Sequence, residues 1–388
     1  MRQADFILTD AENTLASDTE ANGMKYIFTG GGTAGHVNPA ISMIEEIQRR
    51  ERGAKILFIG RLGGRENRAV RERGIECREI EIRGIPRRIS RESLSSLFLA
   101  IRARKAATEI IREFAPDVIV GTGGYVCWPV LSAAKAMKIP TALHESNIYP
   151  GLTARILSRR TDAIMINNES TADYLKRKQG IYTVGNPLRS DFYTITRKDA
   201  RRSLGLSESE ILIVSFGGSI GAERINECVR ALMKGYSEKR RGVYHVHAAG
   251  ERYYSSLNPS ELPRKDSGCR ILPYIDNMPL YLWAADLVIC RCGAITLSEI
   301  ALVGAPSILI PSPNVTDNHQ YKNGKPLSDA GAALMISENE LTPESLLEKA
   351  RMVCEDSALR KKLSCRIRKF AEPNSVKKCV DVIHSLIK

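Results

Sequence analysis

Residues 25–39 read KYIFTGGGTAGHVNP, a short apolar run, three glycines in a row, then threonine, a further glycine and one of only six histidines. An apolar strand that enters a glycine turn and leaves it as a helix is the basic step of a βα unit. Gly30, Gly31 and Gly32 let the backbone turn tightly and approach a ligand closely. Pro39 is expected to open the helix, where a missing amide costs nothing. Thr33, Gly35 and the free amides around them would face a ligand, with the helix dipole favouring negative charge. His36 falls where an imidazole could reach a reacting centre, although the same residues also suit a plain strand-to-helix turn.

Outward from this turn the pattern repeats. AKILFIG (54–60), DVIVGTGG (117–124), IPTALHES (139–146) and DAIMINN (162–168) read as strands, with helical segments such as ISMIEEIQRRERG (41–53) between them. That alternation predicts a parallel sheet. The charged, turn-rich stretch 185–209 looks like a connection, and a second series follows: ILIVSFGG, VYHVHAAG, CRILPYI, DLVICRCG, PSILIPSP and AALMIS. The expected fold is therefore α/β, with two Rossmann-like domains whose parallel sheets face a cleft. Expected boundaries are a tail at 1–23, a first domain at 24–188, a linker at 189–200, a second domain at 201–370 and a terminal helix at 371–388.

In such sheets ligands bind beyond the carboxyl ends of the strands. GGGTAGH, GTGGY, HESN and GNPLR fall there in the first half; FGGSIGAERIN, CRCGAIT and TDNHQYKNG fall there in the second. Gly217, Gly218 and Ser219 would cradle phosphate at a helix start, or simply permit tight packing. Two such turns facing one cleft suit a substrate in two parts. The glycines do not follow GxGxxG with an acid about 20 residues on, nor GxxxxGK[ST], so neither a nicotinamide cofactor nor a P-loop is indicated.

Lys and Arg number 57 against 44 Asp and Glu, a net +13 that favours an anionic partner without naming it. No interleaving of basic and aromatic residues or recognised motif supports nucleic acid as that partner. Nine scattered cysteines read as reduced thiols, and the CRC at 290–292 lacks zinc-site spacing. His245 and His247 share a strand face but lack a third ligand, so they read as packing residues. The first 23 residues do not read as a signal peptide. No stretch is apolar enough to span a membrane. Arg83, Arg87, Arg88 and Arg91 do precede an apolar cluster of Leu94, Leu97, Phe98 and Ile101, with Arg102, Arg104 and Lys105 beyond, which suits either shallow insertion at an anionic surface or an ordinary packed helix.

GGTAGHVNP, GTGGYV, HESN, GNPLRSD, GGSIGAERIN, CRCGAITLSE and DNHQYKNG, in that order, make the chain resemble glycosyltransferase family 28, and within it the peptidoglycan enzymes that make lipid II. The resemblance covers about residues 24–388. It implies a GT-B fold and inverting transfer of N-acetylglucosamine from UDP-N-acetylglucosamine to the C4 hydroxyl of membrane-bound lipid I, giving lipid II and UDP. It implies no required cofactor or metal ion, a peripheral place on the cytoplasmic face of the bacterial membrane, and association with cell-wall synthesis and division proteins. By motif, Ser219 and Arg189 resemble the diphosphate grip, Glu299 the acid that accepts the ribose hydroxyls, and Ile275 the residue whose backbone reads uracil. Ala294, Ile295 and Thr296 begin the helix under the phosphates. Gln320 resembles the glutamine that bonds sugar hydroxyls, and His319 stands where other members have a second glutamine. Thr33, His36, Tyr125 and Asn147 resemble residues of the acceptor side. His36 could take the attacking hydroxyl's proton or orient a diphosphate, with His144 and Glu145 as alternative bases. Cys127 and Trp128 depart from the small residue that often follows GGYV; Trp128 suits either the lipid interface or the core. The readings that compete are a UDP-sugar 2-epimerase or another GT-B transferase, and a non-catalytic sugar-nucleotide-binding scaffold at the membrane.

Overall fold

A computed structural model of the chain describes residues 23–84, 91–218, 220–237, 242–264 and 266–387. The apolar runs become strands buried on both faces, as parallel sheets covered by crossover helices require. In the first half they are β1 (Lys25–Thr29), β2 (Lys55–Arg61), β3 (Glu76–Ile80), β4 (Val118–Gly121), β5 (Thr141–Glu145), β6 (Ala163–Ile166) and β7 (Ile181–Thr183). The second half supplies β8 (Ile211–Phe216), β9 (Val243–Ala248), β10 (Cys269–Leu272), β11 (Leu287–Cys290), β12 (Ser307–Leu309) and β13 (Leu334–Met335). Among the described residues these form a seven-stranded sheet, β3-β2-β1-β4-β5-β6-β7, and a six-stranded sheet, β10-β9-β8-β11-β12-β13. Every pairing is parallel. This is the expected architecture of two Rossmann-like sheets.

Strand order reverses between β1 and β4 in one sheet and between β8 and β11 in the other. Such switch points open a crevice beyond the strand ends. The turn after β1 (30–36) and the turn after β4 (121–126) flank the first crevice. The turn after β8 (217–222) and the CRCGAIT segment after β11 flank the second.

Apolar side chains cover both faces of each sheet. Tyr26, Phe28, Ile41, Ile44 and Phe58 lie in one layer of the first unit, and Ile27, Leu57, Ile119 and Leu131 in the other. The helix Ser375–His384 belongs to the first layer, because Cys379, Val380 and Ile383 are fully buried there. Burial at this level is worth about 1.5–3 kcal/mol for a Val or Ile side chain. The same helix pairs Asp381 with Arg50 at 2.5 Å, so the end of the chain returns to the first sheet.

Pro39 does not open its helix. The helix runs Ala34–Arg50 with Pro39 inside it. The proline therefore withholds the amide that would have bonded to the Gly35 carbonyl, and that freed carbonyl lies in the first helical turn, beside the crevice.

Candidate active site

The turns after β1 and β4 interlock. Gly31 N donates to Gly123 O at 3.2 Å, and a Cβ on Gly124 (φ +85°) would come within 2.3 Å of the Gly31 carbonyl oxygen. The same carbonyl accepts from His36 Nδ1 at 2.8 Å. A carbonyl can only accept, so Nδ1 carries the proton and Nε2 keeps its lone pair in the neutral ring. The edge of the imidazole lies over Gly123, where a Cβ would be 2.5 Å from His36 Cδ2. Thr33 caps the helix by position, but its exposed side chain makes no capping bond. Tyr125 is half-buried on the neighbouring turn beside Gly84.

Cys127 is fully buried, and burial pushes its thiol up to about 12. Its sulfur bonds with the Thr29 and Gly123 backbone, so it is a packing residue and not a nucleophile. Trp128 packs against the first domain's core.

After β5 the two alternative bases have other tasks. His144 is fully buried and bonds through Nε2 to the Gly185 carbonyl at 3.2 Å; burial holds it down to about 4, hence neutral. Glu145 accepts from Asn147 N, Asn147 Nδ2 and Gly151 N at 2.9–3.0 Å, which shapes the loop. Asn147, expected to touch the acceptor, has its amide oxygen bonded to Asn323 Nδ2 at 3.0 Å across the two units. Asn323, nearly fully buried, also accepts from Ile148 N at 3.0 Å. Asn186 of the GNPLR segment bonds to Ser298 Oγ at 3.0 Å and to the Ala294 carbonyl at 3.3 Å. These bonds tie the first sheet's loops to the second sheet's helices.

In the second unit Ser219 lies outside the described residues. Gly221, two residues further on, is pressed against the residue that follows β9: a Cβ there would come within 2.0 Å of the Ala249 carbonyl oxygen. The helix Ala294–Val303 starts at Gly293 with no side-chain cap and no acid in its first turn. The first amides, at Ala294, Ile295 and Thr296, have no partner within the helix, and the helix dipole adds partial positive charge there. A Cβ on Gly35 would sit 3.8 Å from Ile295 Cγ1, so the two helix N-termini meet across the cleft.

Glu299, one turn further on, is partly buried. Burial raises its carboxyl to about 7, opposed by Arg189 and reinforced by Asp191. Arg189 pairs with Asp191 at 3.2 Å and lies 5.8 Å from the Phe192 ring centroid. Asp191 is a site neighbour that the sequence reading missed. Ile275 has its side chain fully buried in the second core, leaving only its backbone to face a ligand. His319 and Gln320 open the helix His319–Asp329. His319 bonds through Nδ1 to Thr316 O at 2.8 Å, and Gln320 Oε1 accepts from Ser312 N at 2.9 Å, which leaves the Gln320 amide nitrogen for other partners.

His245 and His247 are fully buried on either side of Ser215 Oγ, at 2.7 and 2.9 Å. His247 Nε2 is 3.0 Å from Asn226 Oδ1, and Asn226 Nδ2 donates to Ala249 O at 2.9 Å. The amide oxygen only accepts, so His247 Nε2 carries a proton, while its Nδ1 lies between Ser215 Oγ and the Ser215 carbonyl oxygen, the latter at 3.2 Å. Both rings are neutral, His247 held down to about 4 by burial, and they pack as the sequence suggested. Among the described residues no group of three His, Cys, Asp or Glu side chains is arranged to hold a metal ion.

The helix Arg91–Phe114 buries Leu99, Ala100, Ala103, Ala107 and Ile111. Phe98 (64% exposed) and Ile101 (59%) point outward beside exposed Arg102, Arg104 and Lys105. Arg87 and Arg88 lie outside the described residues, as do the side chains of Leu94 and Leu97. Among the described residues no helix is long and apolar enough to cross a membrane.

The model of the glycosyltransferase family 28 N-terminal domain matches residues 26–166, and that of the family's C-terminal domain matches 212–375. The UDP-N-acetylglucosamine--N-acetylmuramyl-(pentapeptide) pyrophosphoryl-undecaprenol N-acetylglucosamine transferase of Acetivibrio thermocellus is 40% identical over 365 residues, covering 94% of this chain and 99% of the relative. The enzyme of the same name from Thermoanaerobacter sp. is 38% identical over 366 residues, covering 94% and 100%. The crystal structure of Acinetobacter baumannii MurG superposes with a TM-score of 0.71 at 25% identity, over 93% of this chain and 99% of that one. The UDP-N-acetylglucosamine 2-epimerase of Neisseria meningitidis shares the fold at 14% identity and a TM-score of 0.64, over 93% and 100%. The chain belongs to glycosyltransferase family 28.

Proposed function

We propose that this chain transfers N-acetylglucosamine from UDP-N-acetylglucosamine to the C4 hydroxyl of the muramoyl sugar of lipid I, with inversion, releasing lipid II and UDP. The observation that carries this reading is the meeting of two helix N-termini across one cleft, Gly35 against Ile295, in a chain whose near full-length relatives are named for that transfer. The epimerase shares the fold at low identity and lends no support to an epimerase activity here.

In this reading residues 24–188 receive lipid I, residues 201–370 hold the nucleotide sugar, 189–200 link them and 371–388 brace the first domain. Glu299 accepts the ribose hydroxyls, the Ile275 backbone reads uracil, and the 294–296 amides with Arg189 and Ser219 hold the diphosphate. Gln320 and His319 read the sugar; Gly35 meets the nucleotide sugar from the first domain, and Thr33, Tyr125 and Asn147 line the acceptor side. His36 Nε2 takes the proton from the C4 hydroxyl as that oxygen bonds to C1 and the bond from C1 to the phosphate oxygen breaks. Negative charge then grows on the departing UDP, where fixed amides and Arg189 stabilise it more than in the ground state. Phe98 and Ile101, ringed by Arg102, Arg104 and Lys105, with Arg87, Arg88, Leu94 and Leu97 nearby in sequence, suit an anionic membrane surface.

The test is transfer of label from UDP-N-acetylglucosamine to lipid I or a short-chain analogue by the purified chain. Labelled lipid product is expected. Tight nucleotide-sugar binding without transfer would overturn the reading.

A further inference from the structure

The turn that carries Gln320 has an unfavourable backbone shape. Asp317 sits at φ 55°, ψ 23° and Asn318 at φ 52°, ψ 35°, two consecutive residues with side chains in the left-handed region. Such positions persist only where the surroundings over-determine them.

Part of that bracing comes from the other sheet's unit. Arg155, on the helix Leu152–Leu157, places Nη2 3.3 Å from Asp317 Oδ2. Its Nη1 donates to the Tyr149 hydroxyl at 3.1 Å, and its guanidinium carbon is 5.1 Å from the Tyr149 ring centroid. Lys322, on the second unit, reaches the same ring, Nζ 3.4 Å from its centroid, while Tyr174 packs against it edge-on at 4.9 Å. The Arg155 and Asp317 side chains are only 32% and 27% exposed, so water screens the pair less than an open surface pair. Both Arg155 contacts are to protein groups that hold it in place, which sets it apart from a residue waiting for phosphate.

We propose that Arg155 and Asp317 are positioning residues for the donor sugar: their ion pair across the cleft holds the 316–320 turn in its left-handed shape, so that Gln320 is presented to the sugar only when the two domains are closed. This rests on the reading of that segment as sugar-binding. It makes closure and sugar placement one event, and leaves the ribose and diphosphate contacts of the 294–303 helix and the uracil contact of Ile275 independent of it.

The test uses the full chain and the variants Arg155→Gln, Asp317→Asn and their double, with transfer kinetics and calorimetric binding of UDP and of UDP-N-acetylglucosamine. Asparagine tolerates the left-handed region, so Asp317→Asn removes the charge without forbidding the turn. Each single variant is expected to lower kcat/KM for the nucleotide sugar about five- to twentyfold, with UDP affinity within about twofold of the parent and the double no worse than the weaker single. In the Arg155→Gln background, Asp317→Gly should recover part of the loss, because glycine holds this φ without a brace. Unchanged kinetics in the singles, multiplicative losses in the double, or a parallel fall in UDP affinity would each overturn the proposal. If the parent shows no transfer, the functional reading fails instead, and the ratio of UDP-sugar to UDP affinity still decides the role of the pair: a ratio that the singles leave unchanged overturns it.

Discussion

His36 Nδ1 lies 2.8 Å from the carbonyl oxygen of Gly31, and that one bond fixes which ring nitrogen is available for chemistry. With Nδ1–H spent on the turn, Nε2 is the acceptor of the neutral ring. His36→Ala should lower kcat about 10²- to 10⁴-fold, the usual range for loss of a general base. UDP affinity measured by calorimetry should stay within about twofold, since the contacts proposed for the nucleotide lie mainly on the other unit. A parallel loss of UDP binding would instead assign His36 to the diphosphate.

Gly123 offers a way to move that ring without removing it. Its φ of +113° is poor for any residue with a Cβ, and the added carbon would come 2.5 Å from His36 Cδ2 and 2.9 Å from Nε2. Gly123→Ala should therefore cost at least about tenfold in kcat, because small displacements of a reacting group are expensive. Retained UDP binding and a near-native melting curve would separate this from unfolding, and an unchanged kcat would show that the ring is not held by the 121–126 turn.

Much of this was legible in the sequence because glycine and apolar runs are direct signals. KYIFT and ILIVSF are buried strands, so their runs are continuous. The strands ECREI (76–80) and IYT (181–183) escaped notice because each lies at a sheet edge, half solvated, with polar residues alternating or exposed. Glu299 and Gln320 were visible through their motifs. Asn147 stands out in the sequence through the HESN motif, yet its bond to Asn323 depends on how two domains meet, which no local pattern encodes. Arg155 carried no signal at all. The Asp317–Asn318 pair carried a faint one, since Asp and Asn are the side chains that best tolerate the left-handed region.

Glu299 gives a pH signature that can be read without phosphate. Burial raises its carboxyl to about 7, and the ionised form accepts two ribose hydroxyls better than the acid does. Uridine, which lacks the diphosphate's own titration, should bind more weakly as pH falls from 8 to 6, approaching tenfold per pH unit below about 7 if only the carboxylate binds. Glu299→Gln should bind weakly with a flat profile. A parent profile that is flat across this range would remove Glu299 from the ribose site.

Acid stability follows from three buried imidazoles. His144 and His247 are held down to about 4 and His245 well below its ordinary value, all by burial. A histidine whose folded pKa is depressed contributes stability above its unfolded value near 6.5 and loses it as pH falls toward the folded value. Each can contribute a slope of up to about 1.4 kcal/mol per pH unit in that window. Glu299 acts in the opposite sense, because its raised carboxyl favours the fold at low pH and loses that contribution as pH rises from 4.5 to about 7. Three histidines outweigh one glutamate, so chemical unfolding midpoints should fall from pH 6.5 to 5. A midpoint that rises over that interval would mean that at least two of the three rings are charged in the fold.

The outward face of the helix Arg91–Phe114 can be tested apart from the cleft. Phe98 and Ile101 are exposed beside three cations while the opposite face is buried in the domain, so replacing both by Asp removes apolar surface and adds two negative charges without touching the core. Binding to vesicles containing phosphatidylglycerol should weaken at least about tenfold, since insertion and attraction to anionic headgroups are both lost. Transfer to a water-soluble, short-chain lipid I analogue should stay within about twofold of the parent. The same vesicles made of phosphatidylcholine alone should bind the parent weakly, because the cations then have no anionic partner. Equal binding of parent and variant to the anionic vesicles would mean that this helix face does not meet the membrane.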